Sequence, residues 1–248
     1  IQVYTQCTGL PVHPRHPWVG DLVYTAFSGS HQDAIRKWLL QQVEDEPWQG
    51  AYLPSDPRDL GRGYQAGRRV NSQSGKGGVA FVLERDYGLT LPRWMQVELA
   101  QIGQRESENH SGEISGERIH QLFLQHFADA RHPLALIGYR LDRREGIDLI
   151  EAQIDDAGRV STLRGSGEGA IEAFVDAWTA AYGNRVNVVD YSEHAIGSGT
   201  TADAVAYVQL SIDGRRVAGA AFDRDTVSAS MRAVLAAMNR ALLTRAAA

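Results

Sequence analysis

The chain contains 248 residues, of which 43% are hydrophobic, and carries a formal net charge of -5, so two or three compact units with ordinary cores fit its length. It has no block of Lys or Arg that would attract nucleic acid or an anionic membrane, and no run of about 18 apolar residues that could span a bilayer. Its single cysteine, Cys7, excludes an internal disulfide framework and favours a reducing cytoplasm, which leaves small molecules and proteins as the expected partners.

The first part of the chain is predicted to be an irregular connection followed by a short helix. Prolines and histidines dominate residues 11–20, and the histidines there, His13 and His16, lack the further convergent groups that a zinc site requires. A helix is expected after the polar turn at residues 28–30, with Ser30 as its cap. His31 opens this helix and lies off its apolar stripe, which consists of Ile35, Trp38, Leu39 and Val43.

A second helix is predicted to start at Asp56-Pro57, where aspartate can accept from free amides and proline occupies the first turn. We expect this helix to end near Gly67. Residues 79–84, which are apolar except for Glu84, follow a glycine-rich loop, and we interpret them as a buried strand.

Two further helices are predicted before the pattern changes. Residues 92–102 have helical spacing, and the polar residues 105–112 are expected to end that helix. Ser115 is predicted to cap the next helix, which stops before His132-Pro133 because the residue before a proline disfavours the α conformation. We expect a domain boundary at this proline.

The remainder of the chain repeats one order of elements twice. Each half is predicted to have three strands and then a helix, so the fold class is α+β, with small mixed helical linker subdomains followed by a duplicated β-β-β-α domain. The predicted strands and helix are residues 134–141, 147–154, 160–163 and 169–182 in the first half, and 186–189, 204–212, 217–222 and about 226–244 in the second.

One cluster in the second half, Asp190-Tyr191 with Glu193-His194, has the residue types of acid-base chemistry. We interpret it as a hydrogen-bonded turn at the end of a strand, which is the commoner origin of such clusters.

Several motifs resemble 2-isopropylmalate synthases, and the resemblance covers nearly the whole chain. HPRHP at residues 13–17 and GDLVYTAFSGSHQDAI at 20–35 resemble the segment just after the catalytic barrel of that family. The linker of its longer, actinobacterial-type form is similar to YLP at 52–54, DP at 56–57 and RVNSQSGKGG at 69–78. Its regulatory domain is similar to GSG at 165–167, DY at 190–191, EHA at 193–195 and AVAYV at 204–208.

The resemblance implies a division into four parts. Residues 1–12 would be the end of the barrel region, 13–60 linker subdomain I, 61–132 linker subdomain II, and 133–248 a leucine-binding regulatory and dimerisation domain. The family's (β/α)8 catalytic barrel would be absent from this chain. In that family the barrel holds a divalent metal and condenses acetyl-CoA with 2-oxoisovalerate in leucine biosynthesis, so this chain alone is expected to bind no metal or other cofactor and to be inactive.

The resemblance also implies two sets of site residues. His31 and Tyr52 match a histidine and a tyrosine that the linker places near the substrates in the partner subunit's barrel, and they are therefore candidate catalytic residues. The linker after Val43 is shorter than in the actinobacterial form, which alters the presentation of Tyr52. The expected leucine pocket consists of Glu168, Gly169, Ile171, Val188, Tyr191, Ala195 and Ala202, and Glu168 departs from the asparagine usual in the family.

Apolar helix residues Phe174, Val175 and Trp178 are expected to contribute to a homodimer through the regulatory domain. Two alternatives stay open at this point. The chain could be a free-standing amino-acid-binding regulatory module, or the equivalent part of a citramalate or homocitrate synthase, since the residues that select the keto acid would lie in the barrel.

Overall fold

A computed structural model describes residues 1–20, 22–26, 28–43, 47–50, 52–53, 55–61, 69–70, 75–109, 114–128, 130, 132–183, 185–197, 199 and 202–246. The chain divides into two compact units, residues 1–87 with 96–120, and residues 88–95 with 121–248. None of the described helices is long and apolar enough to cross a membrane. The α+β class is confirmed, while the division at residues 12, 60 and 132 stays a prediction.

The linker part of the chain is mainly helical. Its helices are α1 (Gln2–Thr8), α2 (Gly29–Gln41), α3 (Gly75–Tyr87), α4 (Arg93–Asn109) and α5 (Gly116–Phe123), with a 3-10 helix at Pro57–Leu60 and a π-helix at Leu124–Ala128. Two short strands, β1 (Arg69–Val70) and β2 (Ile114–Ser115), pair antiparallel.

The predicted helix starts are confirmed near their expected positions, with differences in detail. α2 begins at Gly29, so its N-cap residue is Ser28 and not Ser30, and His31 lies in the first turn. Asp56 accepts from the amide of Arg58 at 2.8 Å, as an N-cap should. The helix that follows is a single 3-10 turn, because Gly61 adopts a left-handed φ of 65° directly after it. The helix therefore ends at Leu60, and the expectation that it continues through Gly61 toward Gly67 was wrong. Residues 62–68 lie outside the described part of the chain.

The strand predicted at residues 79–84 was wrong, because these residues lie inside α3. Val79, Val82 and Leu83 are buried, and their spacing of three and four residues is that of one helix face. A run of five apolar residues does not by itself separate a strand from a buried helix.

Polar residues did not end α4 where the sequence analysis expected. The helix continues to Asn109, and Gln104 donates from Nε2 to Glu108 Oε1 at 3.0 Å, a pair four residues apart that supports a helix on its exposed face. The cap at Ser115 is confirmed, because its Oγ accepts from the amide of Arg118 at 3.1 Å.

The duplicated β-β-β-α order is confirmed. The first half comprises β3 (Leu134–Arg144), β4 (Ile147–Asp156), β5 (Arg159–Gly167) and α6 (Ala170–Tyr182), and the second comprises β6 (Val186–Ile196), β7 (Asp203–Ile212), β8 (Arg215–Asp223) and α7 (Thr226–Ala246). Each half forms a three-stranded antiparallel sheet whose strands neighbour one another in chain order.

Two-residue turns join most of these strands. The turns are Glu145-Gly146 (φ 51° and 86°), Ala157-Gly158 (φ 51° and 92°) and Asp213-Gly214 (φ 49° and 83°). Positive φ at both central residues defines the type I′ turn, whose twist matches that of the flanking strands. The register of these hairpins is therefore fixed locally.

Each helix of the repeat packs on its own sheet, α6 on β4 and β5, and α7 on β7 and β8. The approach is close at two glycines. A Cβ atom at Gly165 would overlap the backbone of Ala173 and Ala177 in α6, and one at Gly219 would overlap the backbone of Ala233 and Ala237 in α7.

The same packing buries two of the residues that were expected at a dimer surface. Phe174 and Trp178 are buried in the core of their own unit, so this part of the expectation was wrong. Exposed apolar side chains occur instead on strands of the first sheet, at Ile147, Leu149 and Val160.

A buried asparagine connects the start of β3 to α7. Asn239 is fully buried, and its Oδ1 accepts from the amide of Leu134 at 2.9 Å. Its Nδ2 donates to the carbonyl oxygens of Leu134 at 2.9 Å and of Ala130 at 2.7 Å. All of these polar groups are thus satisfied away from water.

Candidate functional site

The two candidate catalytic residues of the linker lie against each other. The rings of His31 and Tyr52 stack with centroids 4.1 Å apart and planes inclined by 21°. Both side chains are exposed, and Tyr52 has a left-handed φ of 61°, which is uncommon for a residue with a Cβ. The structure therefore brings the two predicted residues together on the surface of their unit.

A small hydrophobic core holds this stacked pair. Ile35, one helical turn after His31, is fully buried, and Leu53 follows Tyr52 and is also buried. Trp48 donates from Nε1 to the carbonyl oxygen of Leu53 at 3.3 Å. Because each ring has a buried neighbour on its own segment, the stack is positioned by the core and not by the two rings alone.

In the second compact unit, which contains the duplicated β-β-β-α order, a cavity of about 240 Å³ lies where the starts of α6 and α7 meet β6. The lining combines the first residues of both helices with two side chains of the strand and one from the second turn of α7. These residues are Gly169, Ala170, Ile171, Glu172, Tyr191, Glu193, Thr226, Val227 and Ser230.

The start of α6 presents backbone donors to this cavity. Gly169 is the N-cap residue with an extended backbone (φ -150°, ψ 165°), and no described side chain caps the helix there. The first amides of a helix have no partner within the helix, and they carry the positive end of its dipole. Glu172, in the first turn, accepts from the amide of Glu168 at 2.8 Å. The α6 start therefore offers amide donors to a ligand, beside a carboxylate of the chain that is itself attracted to the positive end of the helix.

A tyrosine and a carboxylate lie opposite these amides. The hydroxyl of Tyr191 donates to Glu193 Oε2 at 2.6 Å and lies 2.7 Å from the Oγ of Ser230. Burial, together with the hydrogen bond to Glu193, raises the pKa of Tyr191 to about 12. Tyr191 therefore stays protonated near neutral pH and acts as a hydrogen-bond donor.

Three of the predicted leucine-binding residues line this cavity and four do not. Gly169, Ile171 and Tyr191 belong to the lining. Glu168 is exposed just before it. The other three, Val188 and Ala195 on β6 and Ala202 before β7, lie outside the lining.

Sequence analysis missed six of the lining residues, Ala170, Glu172, Glu193, Thr226, Val227 and Ser230. The repeat contained the signal for two of them, because Thr226 and Val227 occupy the same place at the start of α7 as Ala170 and Ile171 do at the start of α6. Glu193 had been assigned to a turn, but it lies inside β6.

The neighbouring histidine of that cluster has a structural contact. His194 Nε2 lies 3.0 Å from the carbonyl oxygen of Gly88 and 3.3 Å from the amide nitrogen of Thr90. The hydrogen-bonded interpretation of Glu193-His194 is thus confirmed, although the element is a strand and not a turn.

Within the described ranges, no three His, Cys, Asp or Glu side chains converge as a metal site. In the first segment, His13 Nδ1 accepts from the amide of Arg15 at 3.1 Å, and His16 Nδ1 lies 2.7 Å from the carbonyl oxygen of Pro17. Each of these rings therefore has a local partner at one nitrogen.

Comparison with known proteins identifies both parts of the chain. Residues 21–84 match the family model of the alpha-isopropylmalate synthase post-catalytic domain, and residues 113–242 match that of the LeuA allosteric (dimerisation) domain. The second match alone covers more than half of the chain.

Curated relatives carry the same family name. The chain is 50% identical over 242 residues to a 2-isopropylmalate synthase of Pseudomonas syringae pv. tomato, a match that covers 97% of this chain and 43% of the relative. For the 2-isopropylmalate synthase of Azotobacter vinelandii the identity is 48% over 242 residues, with the same coverage of both chains. The chain thus spans 43% of the length of these relatives. With both family models and these relatives in agreement, the chain belongs to the 2-isopropylmalate synthase family.

Proposed function

We propose that this chain supplies the leucine-responsive part of a 2-isopropylmalate synthase, together with linker residues that assist its reaction. The observation that supports the proposal is the cavity at the starts of α6 and α7. Uncapped helix amides, a tyrosine hydroxyl and a carboxylate converge there. A free α-amino acid carries the complementary groups, a carboxylate and an ammonium on one carbon.

In this proposal, the carboxylate of leucine binds the amides at the start of α6 and accepts from the hydroxyl of Tyr191, whose hydrogen turns from Glu193 to the ligand. The ammonium binds Glu193, and the isobutyl group packs between Ile171 and Val227. Glu193, and not Glu168, takes this role, because Glu193 lines the cavity and Glu168 does not.

The linker contributes to the condensation of acetyl-CoA with 2-oxoisovalerate to 2-isopropylmalate. His31 removes a proton from the acetyl methyl group or relays it to the base, and Tyr52 donates a hydrogen bond to an oxygen that gains charge. A divalent metal ion in the catalytic barrel supplies Lewis-acid chemistry to the whole enzyme. Because the stacked pair is exposed, it is accessible to substrates that are held by a barrel.

The whole enzyme acts as a homodimer in this proposal, with the linker of one subunit reaching the barrel of its partner. Ile147, Leu149 and Val160 are among the exposed apolar residues available for such an association. Sedimentation velocity at micromolar concentration tests it, and a monomer alone would contradict it. The chain without a barrel is expected to release no CoA, and the cytoplasm stays the predicted compartment.

Calorimetric titration of this chain with L-leucine and L-valine tests the regulatory part. Leucine should bind and raise the melting temperature, and valine should bind about tenfold or more weakly because its side chain buries one methylene less. If millimolar leucine gives no heat of binding and no thermal stabilisation, the chain is not a leucine sensor.

Substitutions locate the binding site. Ile171→Trp should fill the cavity and abolish leucine binding, whereas Ala195→Trp, outside the lining, should not. Glu193→Gln should weaken leucine binding more than Glu168→Gln, its matched control. The opposite order in both pairs would favour the residue set that the resemblance implied.

The two alternatives are tested by the same kind of measurement. Tighter binding of an amino acid other than leucine would favour a citramalate or homocitrate synthase. If leucine binds this chain but does not inhibit a version that contains the barrel, the unit is a free-standing sensor.

A further inference from the structure

The two halves of the regulatory unit are equivalent residue by residue at their first strands. β3 has a bulge between Leu136 and Gly138, and β6 has one between Val188 and Asp190. A tyrosine follows each bulge directly, Tyr139 in β3 and Tyr191 in β6. Burial, with a hydrogen bond to a carboxylate, raises the pKa of each to about 12.

The helix starts of the two halves are equivalent as well. The carbonyl oxygen of Gly169 accepts from the amide of Ala173 at 2.9 Å, and that of Asp225 accepts from the amide of Ala229 at 2.9 Å. Gly169 and Asp225 therefore hold the same position before α6 and α7. They differ in that only Asp225 has a side chain that can reach the helix amides.

Asp225 places a carboxylate on the start of α7. Its Oδ2 accepts from the amide of Ser228 at 2.8 Å and from the hydroxyl of Tyr139 at 2.6 Å. Burial opposes ionisation of Asp225, but hydrogen bonds from Tyr139, Ser228 and the amide of Val227 outweigh it and hold its pKa below the ordinary range. Helix amides plus a tyrosine hydroxyl are the groups that the start of α6 and Tyr191 offer around the cavity.

We propose that Asp225 is the chain's own occupant of the second of two equivalent carboxylate positions, so that only the position at Gly169 is left for a ligand. This inference rests on the proposed function for the identity of that ligand as an amino acid. According to this inference, the residues at positions 169 and 225 determine how many ligand positions the duplicated unit has.

Gly169→Asp tests the inference by giving the first position its own carboxylate. A Cβ at Gly169 meets no atom within 4 Å, and the extended backbone there suits an aspartate cap. The variant should melt at or above the wild-type temperature, and its affinity for leucine should fall more than about tenfold. Wild-type affinity in a folded Gly169→Asp protein would overturn the inference.

Gly169→Ala is the matched control, because it adds a Cβ without a carboxylate. It should lose less affinity for leucine than Gly169→Asp does, since its Cβ meets no protein atom within 4 Å and it adds no charge. Loss of binding in Gly169→Ala equal to that in Gly169→Asp would show a steric effect and overturn the inference.

Asp225→Gly provides the reciprocal test and does not depend on leucine. The change from aspartate to glycine at a cap is mild, so the protein should fold with a lower melting temperature. Sodium acetate should then raise that temperature more than sodium chloride of equal concentration, and more than it does in the wild type. Equal effects of the two salts would overturn the inference. If the wild type fails to bind leucine, the proposed function fails, while the acetate comparison still decides the role of Asp225.

Discussion

Tyr207 is a fully buried side chain on β7 whose hydroxyl has no hydrogen-bond partner within the described residues. Its ring lies 5.6 Å from that of His194 and 6.4 Å from that of Phe123, so its aromatic contacts do not depend on the hydroxyl. Burial raises the pKa of Tyr207, which keeps the hydroxyl neutral. An unpaired buried polar group of this kind is a cost to stability.

Tyr207→Phe is therefore expected to leave the free energy of unfolding unchanged or to raise it by about 1 kcal/mol. Tyr139→Phe, which loses a 2.6 Å hydrogen bond to Asp225, should lower it by about 1 kcal/mol. Urea unfolding of both variants measures the difference, and a strongly destabilised Tyr207→Phe would indicate a partner for that hydroxyl.

The stacked residues of the linker make a prediction about catalysis in a version that contains the barrel. His31→Ala should lower kcat by about 10²-fold with a smaller effect on KM, because an acid-base residue acts mainly in the transition state. Tyr52→Phe keeps the stack and removes the hydroxyl, whereas Tyr52→Ala removes both.

Steady-state kinetics of the three variants separate the two roles of Tyr52. If it acts as a donor, Tyr52→Phe should lose nearly as much kcat as Tyr52→Ala. A Tyr52→Phe enzyme with wild-type kcat would reduce Tyr52 to a residue that positions His31, and an unchanged kcat in His31→Ala would remove His31 from the mechanism.

At the scale of elements, the contact between a sheet and its helix depends on a glycine in each half of the repeat. Gly219→Ala should lower the free energy of unfolding by about 1–3 kcal/mol, because its Cβ would overlap the backbone of α7. Gly103→Ala in α4 is the control, since a Cβ there meets no neighbouring atom within 4 Å. It should be neutral or stabilising by about 0.5–1 kcal/mol, because alanine favours a helix over glycine. Thermal or urea unfolding in which the two changes cost the same would contradict the packing account.

Sequence patterns were sufficient for elements that carry local signals. The order of the repeat, the Asp213-Gly214 turn and the Ser115 cap could be predicted, because alternation, turn residues and cap residues act over a few neighbours. The α3 helix could not, because the buried face formed by Val79, Val82 and Leu83 lies within a run that also suits a strand.

The candidate sites divide in the same way. That His31 and Tyr52 belong to one site was implied only by resemblance, and their stacking was not predicted, since the two residues belong to separate segments that a small core brings together. In the cavity at the starts of α6 and α7, the contributions of Glu193, Val227 and Ser230 depend on how β6 and the two helix starts meet. No local pattern encodes that meeting, and only the equivalence of the two halves could have pointed to Val227.

On the scale of the regulatory unit, Asn239 joins the start of the first half to the last helix of the second. Asn239→Leu should lower the free energy of unfolding by about 3 kcal/mol, because it leaves the amide and carbonyl of Leu134 buried without the amide side chain that pairs them. Asn187→Leu, at an exposed position of β6, is the control and should change it by less than about 0.5 kcal/mol. If the two substitutions have equal effects in urea unfolding, the buried side chain of Asn239 contributes no more to stability than the exposed side chain of Asn187 does.

The short type I′ turns described above also have a kinetic consequence. Within each half, every strand pairs with its neighbour in the chain, so most backbone pairings form between residues that are close in sequence and cost little loop-closure entropy. Two early folding nuclei, one for each half, are thereby favoured. The bonds of Asn239 to Leu134 span 105 positions, so they should form in the late step that joins the two nuclei. In pulsed hydrogen exchange, the hairpins at Gly146, Gly158 and Gly214 should therefore become protected before the amide of Leu134 does.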